Sequence, residues 1–255
     1  MGARHSHPLY VHGHTRIHRL APEVKVACAV LFVVAVALTP PQAVWAFGVH
    51  AICVGAVAAA AGVGPRFLLT RLTVIIPFVA FALFIPFIGS GERIDVLGVS
   101  VSRAGLWGAW NIWAKASLGA STSILLAATT EVPRMLTGMS RLRVPATLTA
   151  IGSFMVRYLE VIGGELRRMR TAMAARGYAP RWLWQVRPVA TAAGALFIRS
   201  FERGERVHAA MLARGYTGTM PEIGPHRGSR REWVAGGLLP TVGWVTMLAA
   251  VAVTP

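Results

Sequence analysis

Ala172-Met173-Ala174-Ala175-Arg176-Gly177-Tyr178 returns 38 residues later as Ala210-Met211-Leu212-Ala213-Arg214-Gly215-Tyr216, with six of seven positions identical. Either copy alone reads as a helix ending. An Arg in the last turn suits the negative end of the helix dipole, and a Gly takes the left-handed cap position. Capping calls for the Gly but leaves Met, Ala and Tyr at fixed offsets unexplained, so the pair reads as one recognition element used twice. Each copy sets a guanidinium just before a tight cap, and Ala175 and Ala213 leave the neighbouring backbone open to close approach. The candidate partner-binding residues are therefore Ala175, Arg176, Gly177, Ala213, Arg214 and Gly215. An Arg fork suits a carboxylate, bidentate and geometrically demanding. Two equivalent ends suit a partner with two equivalent grooves, a dimer.

Other residue sets offer less chemistry. His5, His7, His12, His14 and His18 crowd the N-terminal arm and could bind a transition metal. No acidic residue precedes Glu23 and no i,i+4 His pair has a carboxylate partner, so an arm in which His is one polar residue among others is the plainer reading, and no metal site is assigned. Cys28 and Cys53 are the two cysteines, both in apolar runs, too few for a Cys-based zinc site. A nucleotide loop of the form GxxxxGK[ST] needs Gly before its Lys; Val24 precedes Lys25 and Ala114 precedes Lys115. HExxH and GxSxG are absent, and no span carries paired acids. A membrane-embedded phosphate-handling enzyme would have to use His208 with Glu205, which is thin. No cofactor is expected.

The elements that position these residues follow from composition. The 255 residues are 55% hydrophobic and only 14% charged, yet carry a net charge of +16. A soluble protein shows roughly 25% charged residues. High apolarity excludes disorder and argues against a nucleic-acid-binding domain. What remains is an integral membrane protein with a basic side.

A crossing needs about 20 mostly apolar residues. Val24–Thr39 qualifies with its flanks and stops at Pro40 and Pro41. Gln42–Val63 ends at Gly64-Pro65-Arg66, and Phe67–Ile88 holds Arg71, Pro77 and Pro86. Ala104–Thr130 and Trp233–Val253 complete five spans. The first run is also compared with a secretory signal peptide, for which its basic region is too long and Pro40-Pro41 a poor cleavage site. Arg4, Arg16, Arg19 and Lys25 place the N-terminus in the cytoplasm by the positive-inside rule. The Ser90–Arg103 loop balances its charges, as an outer loop does. Of 24 Arg residues, 17 lie between Arg134 and Arg231, so that block is cytoplasmic too, and the C-terminus ends outside.

Within the basic block, Leu148, Ile151, Met155, Tyr158, Ile162, Leu166, Met169 and Met173 fall on one helical stripe. Arg157, Glu160, Arg167, Arg168 and Arg170 lie off it. Arg141 and Arg143 precede this segment and Arg181 and Arg187 follow it, so a single crossing is excluded and the helix lies along or dips into the inner face. Val189–Phe201 repeats the situation between Arg187 and Arg199. Arg157 with Glu160, and Arg199 with Glu202, are expected as i,i+3 pairs. Lys115, in the fourth span with Asn111, is either a pathway residue or one that pairs with a partner or snorkels. Small residues at Gly48, Ala51, Gly55, Ala59 and Gly62, and at Ser117, Gly119 and Ser121, let helices approach closely. They serve either packing within the chain or a sliding contact with a partner.

The chain is thus expected to be an all-α membrane protein of about five transmembrane helices plus long amphipathic cytoplasmic helices, with a sixth span if the Leu148 helix dips fully. It is read as a single integral membrane domain over residues 1–255: a His-rich cytoplasmic arm (1–23), a four-span bundle (24–130), an Arg-rich cytoplasmic region (131–232) and a last span (233–253).

The two Ala-Arg-Gly motifs, each in a Met-x-Ala-Arg-Gly-Tyr setting, resemble the transmembrane T component of energy-coupling factor (ECF) transporters. The resemblance extends to His18-Arg19-Leu20-Ala21-Pro22 and to Phe201-Glu202-Arg203-Gly204-Glu205-Arg206, and is strongest to the cobalt-type (CbiQ-like) branch. It implies a non-catalytic, multi-pass subunit of the cell (inner) membrane that joins two ABC-type ATPase subunits to a substrate-binding membrane subunit. Arg176 and Arg214 would seat in grooves of the ATPases, and the amphipathic helices would be coupling helices. The implied cargo is cobalt or nickel, with vitamin uptake the alternative within the family. A lipid-bound scaffold, the reading from another class, would tolerate Lys in place of Arg176 or Arg214.

Overall fold

A computed structural model describes residues 10–88, 93–96, 99–178, 186–218 and 227–254. His5, His7, Glu92 and Arg181 lie outside the described residues. The chain divides into two compact units, one made of Met1–Leu142 with Gly224–Pro255 and the other of Arg143–Ile223.

The first unit opens with a single turn, α1 (Arg16–Arg19), whose N-cap Thr15 accepts from the His18 amide. Pro22 then starts α2 (Pro22–Leu38), at a position where its missing N–H costs nothing. The Pro40-Pro41 break separates α2 from α3 (Val44–Ala61), which ends on a left-handed Gly62. The third apolar run is not one regular helix. It begins as α4 (Pro65–Arg71), tightens into a 3₁₀ turn at Leu72–Ile75 and continues as α5 (Ile76–Ile88). Pro77 explains the change of pitch, because its ring clashes with the carbonyl four residues back in a regular helix. Strands β1 (Arg93–Val96) and β2 (Val99–Ser102) form an antiparallel hairpin, with Arg93 opposite Ser102, in the segment read from sequence as a plain loop. From there run α6 (Arg103–Thr129) and α7 (Val132–Arg141), and the unit closes with α10 (Arg230–Val253). A capping box starts α10: the Ser229 hydroxyl accepts from the Glu232 amide and the Glu232 carboxylate accepts from the Ser229 amide.

Val44–Ala61, Pro65–Ile88 and Arg230–Val253 are long and apolar enough to cross a membrane. The 17-residue α2 and the 27-residue α6 pack with them. Phe32 and Val36 of α2, Phe47 and Val54 of α3, and Leu118, Leu125 and Ala128 of α6 form the buried core. Two buried hydroxyls of α6 are satisfied by their own helix: Thr122 donates to the Leu118 carbonyl and Thr129 to that of Leu125, both at 2.8 Å. That local pairing is what an apolar surround requires. Phe78, Phe81, Phe84 and Ile88 face outward, as lipid-facing residues do. The protein is an all-α membrane protein apart from its short hairpin.

The second unit holds α8 (Ala146–Ala175) and α9 (Arg187–Leu212). The stripe read between Leu148 and Met173 lies wholly within α8, whereas the apolar run 189–201 continues as helix for eleven further residues, up to the second motif. Ion pairing between the two helices departs from the i,i+3 expectation. Arg199 reaches across to Glu165 at 3.1 Å, with Arg203 at 3.7 Å on the same carboxylate, and Glu202 pairs with Arg206 instead.

Candidate partner-docking site

Both copies of the repeated heptapeptide end a helix in the same way. Gly177 has φ +78° and Gly215 φ +82°. The Gly177 amide donates to Ala174 at 2.9 Å and the Tyr178 amide to Met173 at 3.0 Å. In the second copy the Gly215 amide donates to Leu212 and the Tyr216 amide to Met211, both at 3.0 Å. These are the paired bonds of a Schellman cap, and the accompanying apolar contact joins the residue after the Gly to the one five positions earlier. Met173 with Tyr178, and Met211 with Tyr216, occupy those two positions, and all four are half-buried. Capping therefore accounts for Met and Tyr as well as Gly, more than the sequence reading allowed it. What the cap does not use is Ala175-Arg176 and Ala213-Arg214.

Those residues are exposed in both copies. Among the described residues neither the Arg176 nor the Arg214 guanidinium has a hydrogen-bond or ion-pair partner. Each helix thus delivers an uncommitted guanidinium beside a small residue, on a backbone whose direction is fixed by two hydrogen bonds. The chemistry on offer is recognition of a carboxylate or of carbonyl groups in a groove. Behind the tips the α8 stripe splits. Leu148, Ile151 and Met155 are exposed, while Tyr158, Ile162, Leu166, Met169 and Met173 are half-buried. On α9, Phe197, Ile198 and Phe201 are exposed as well.

In the first unit a buried ion pair went unnoticed in the sequence. Arg141, at the end of α7, places Nη1 3.2 and 3.4 Å from the two Glu23 carboxylate oxygens, and the Gly228 amide donates to the same carboxylate at 2.6 Å. The side chains are only 8% and 6% exposed. Burial alone would raise the Glu23 pKa; the Gly228 amide, its own amide and the Arg141 guanidinium together hold it below the ordinary value. A signal was present, since Glu23 is the sole acid in the first 91 residues. Gly138, one turn before Arg141, lets α7 lie directly on this corner: a Cβ there would sit 2.8 Å from the Glu23 nitrogen.

Three sequence alternatives are narrowed. Lys115 Nζ donates to the Ala37 carbonyl at 2.7 Å, so it caps the C-terminal end of α2. The small residues of α3 do not serve packing within the described chain: Gly48, Ala51, Gly55 and Ala59 are exposed, and a Cβ at Gly48 or Gly55 would meet nothing within 4 Å. His18 cannot take a metal as it stands. Its Nε2 lies 3.0 Å from the Val11 carbonyl and so carries the proton, and its Nδ1 accepts the Thr15 hydroxyl at 2.7 Å.

A family model described as a cobalt transport protein, CbiQ, matches residues 13–223. The chain belongs to the CbiQ cobalt transport family. Among relatives, the cobalt transport protein CbiQ of Rhodobacter capsulatus is 36% identical over 96 residues, 37% of this chain and 39% of that protein. The match therefore spans about two fifths of that relative's length. The energy-coupling factor transporter transmembrane protein EcfT of Bacillus selenitireducens is 28% identical over 221 residues, 82% of each chain. A putative fused cobalt transport protein, CbiMQ, of Methanocorpusculum labreanum is 26% identical over 63% of this chain and 28% of that protein. The CbiQ match takes in both Arg-bearing helix ends, so the repeated motif lies inside the region that defines the family.

Proposed function

We propose that this chain is the transmembrane coupling subunit of an ECF-type importer. It crosses the cell membrane five times with its N-terminus in the cytoplasm, and it links two cytoplasmic ATPases to a substrate-binding membrane subunit. The observation that carries this reading is the duplicated tip, two helices ending in the same Schellman cap with an exposed, uncommitted Arg176 or Arg214. Two like tips match a partner that has two like grooves, and ATP hydrolysis belongs to that partner. ATP binding draws the two ATPases together. Their grooves hold Ala175-Arg176-Gly177 and Ala213-Arg214-Gly215, so α8 and α9 move with them and reorient the substrate subunit. The open apolar residues of α8 and α9 and the smooth, exposed Gly48–Ala59 face of α3 supply surfaces on which a membrane partner can bear and slide. The cobalt-transport names of the family and of its Rhodobacter relative favour cobalt or nickel as cargo, chosen by the substrate subunit.

Co-purification from native membranes tests the proposal. ATP-binding subunits come down with the tagged wild type, weaken with Arg176→Glu or Arg214→Glu alone and vanish with both. Recovery of ATPases by the double variant at wild-type levels would sink the reading. Retention of full assembly by Arg176→Lys/Arg214→Lys would favour a plain cationic contact over a fork.

A further inference from the structure

A cavity of about 220 Å³ opens in the first unit where the N-terminal arm passes the junction of α6 and α7. Its lining includes His14, Arg19, Lys25, Thr130 and Arg134 and, among the described residues, no Asp or Glu. Three basic side chains, two of them arginines, therefore converge without a carboxylate among the lining residues. Lys25 spends two of its three donors on the His18 and Thr129 carbonyls, at 3.3 and 2.9 Å, leaving one N–H. The Arg19 guanidinium has no partner among the described residues. Arg134 has a single distant one, Glu131 at 3.7 Å from Nε, with both side chains substantially exposed.

A second observation concerns the wall of the same space, to which Thr130 belongs. The Thr130 hydroxyl is buried without a hydrogen-bond partner, in a residue only 2% exposed. Its neighbours Thr122 and Thr129 satisfy their hydroxyls on carbonyls four residues back. Thr130, the C-cap of α6 at φ −143° and ψ 123°, makes no such bond. A buried donor left open beside a cluster of cations is the composition of an anion site. A metal ion fits poorly, since the His18 ring nitrogens are both engaged.

We propose that this cavity binds an oxyanion of the phosphate class, held by Lys25, Arg134 and Arg19 with the Thr130 hydroxyl as a neutral donor. Free phosphate and the phosphodiester of an anionic lipid headgroup present the same oxygens, and the cavity is lined wholly by residues of the first unit, none of them in the Arg176 or Arg214 motif, so the inference does not depend on the coupling role.

Thermal unfolding of the purified full chain in detergent tests it, because a ligand bound to the folded state raises Tm. Two probes are compared at matched ionic strength: inorganic phosphate against chloride, and phosphatidylglycerol mixed micelles against phosphatidylcholine ones. Arg134→Gln removes a cation, and Thr130→Val removes the hydroxyl while keeping the shape. The expected result is a rise in Tm for the wild type, with each variant needing about tenfold more probe for the same rise. Thr130→Val leaves the ligand-free Tm unchanged or higher, an outcome a structural hydroxyl does not give. Protection by phosphate identifies a free anion; protection by phosphatidylglycerol alone identifies a headgroup. No protection by either probe, undiminished protection of both variants, or a lowered ligand-free Tm in Thr130→Val overturns the assignment.

Discussion

Glu23 accepts from Arg141 and from the Gly228 amide in a nearly water-free corner, so replacing it with Gln leaves the guanidinium without its counter-charge and one acceptor oxygen for both donors. Breaking a buried pair in this way costs about 3 kcal/mol or more. Glu23→Gln is expected to lower the Tm of the detergent-solubilised protein by several degrees, and Arg141→Met to lower it similarly. The pH dependence has a definite sign. The folded carboxyl lies below its ordinary 4.5, so this contribution is complete above that pH and is lost as acidification carries the solution down through the folded value. An acid titration of Tm shows a wild-type loss below about pH 4.5 that Glu23→Gln lacks. His18 adds a second, milder sensitivity. Burial, with Lys25 and His14 nearby, outweighs the Val11 carbonyl and lowers its pKa, so the neutral ring that binds Val11 and Thr15 weakens as pH falls below about 6.5.

Among the elements, α8 and α9 owe their ends to two residues in the left-handed region. A Cβ in that conformation costs about 1–2 kcal/mol. Gly177→Ala and Gly215→Ala are expected to fray the last turn of their helices, read as faster amide exchange at Tyr178 and Tyr216, and to weaken ATPase recovery with the arginines intact. Arg176→Ala leaves that exchange unchanged, which separates cap from contact. The close seat of α7 on α2 gives a further test. Gly138→Val drives a side chain into the backbone of Pro22 and Glu23 and is expected to cost at least about 1–3 kcal/mol by overpacking.

Much of this level was readable in the residues. The α8 stripe, the Pro-Pro and Gly-Pro breaks and the two Arg-Gly ends follow from local rules of periodicity and capping. The 3₁₀ turn before Pro77, the β-hairpin and the Glu165 partnership with Arg199 and Arg203 did not follow. The first is a local clash that the apolar run hides, and the hairpin strands, though they alternate as Arg93-Ile94-Asp95-Val96 and Val99-Ser100-Val101-Ser102, are only four residues each, too short for alternation to stand out. The third depends on the distance between two helices, which no spacing along one of them encodes.

The molecule as a whole reads as a membrane protein from its apolar runs and low charged fraction, and the family match agrees. The candidate docking tips were legible because they are duplicated; the Glu23 corner and the anion cavity were not, because each gathers residues more than a hundred positions apart. One feature of that corner reaches further. Arg141 is the penultimate residue before the second unit begins, and Gly228 stands just after the chain returns from it. A single carboxylate therefore staples the exit and the re-entry of residues 143–223, which makes that stretch an insertion in a membrane core whose cut ends already lie side by side. Excising it and joining the ends through a short Gly-Ser linker should yield a protein that still inserts and folds, and that recovers no ATPase. Failure of the excised form to reach the membrane fraction would show that the two units fold only together. Success would mean residues 143–223 can be transplanted between cores as a cassette.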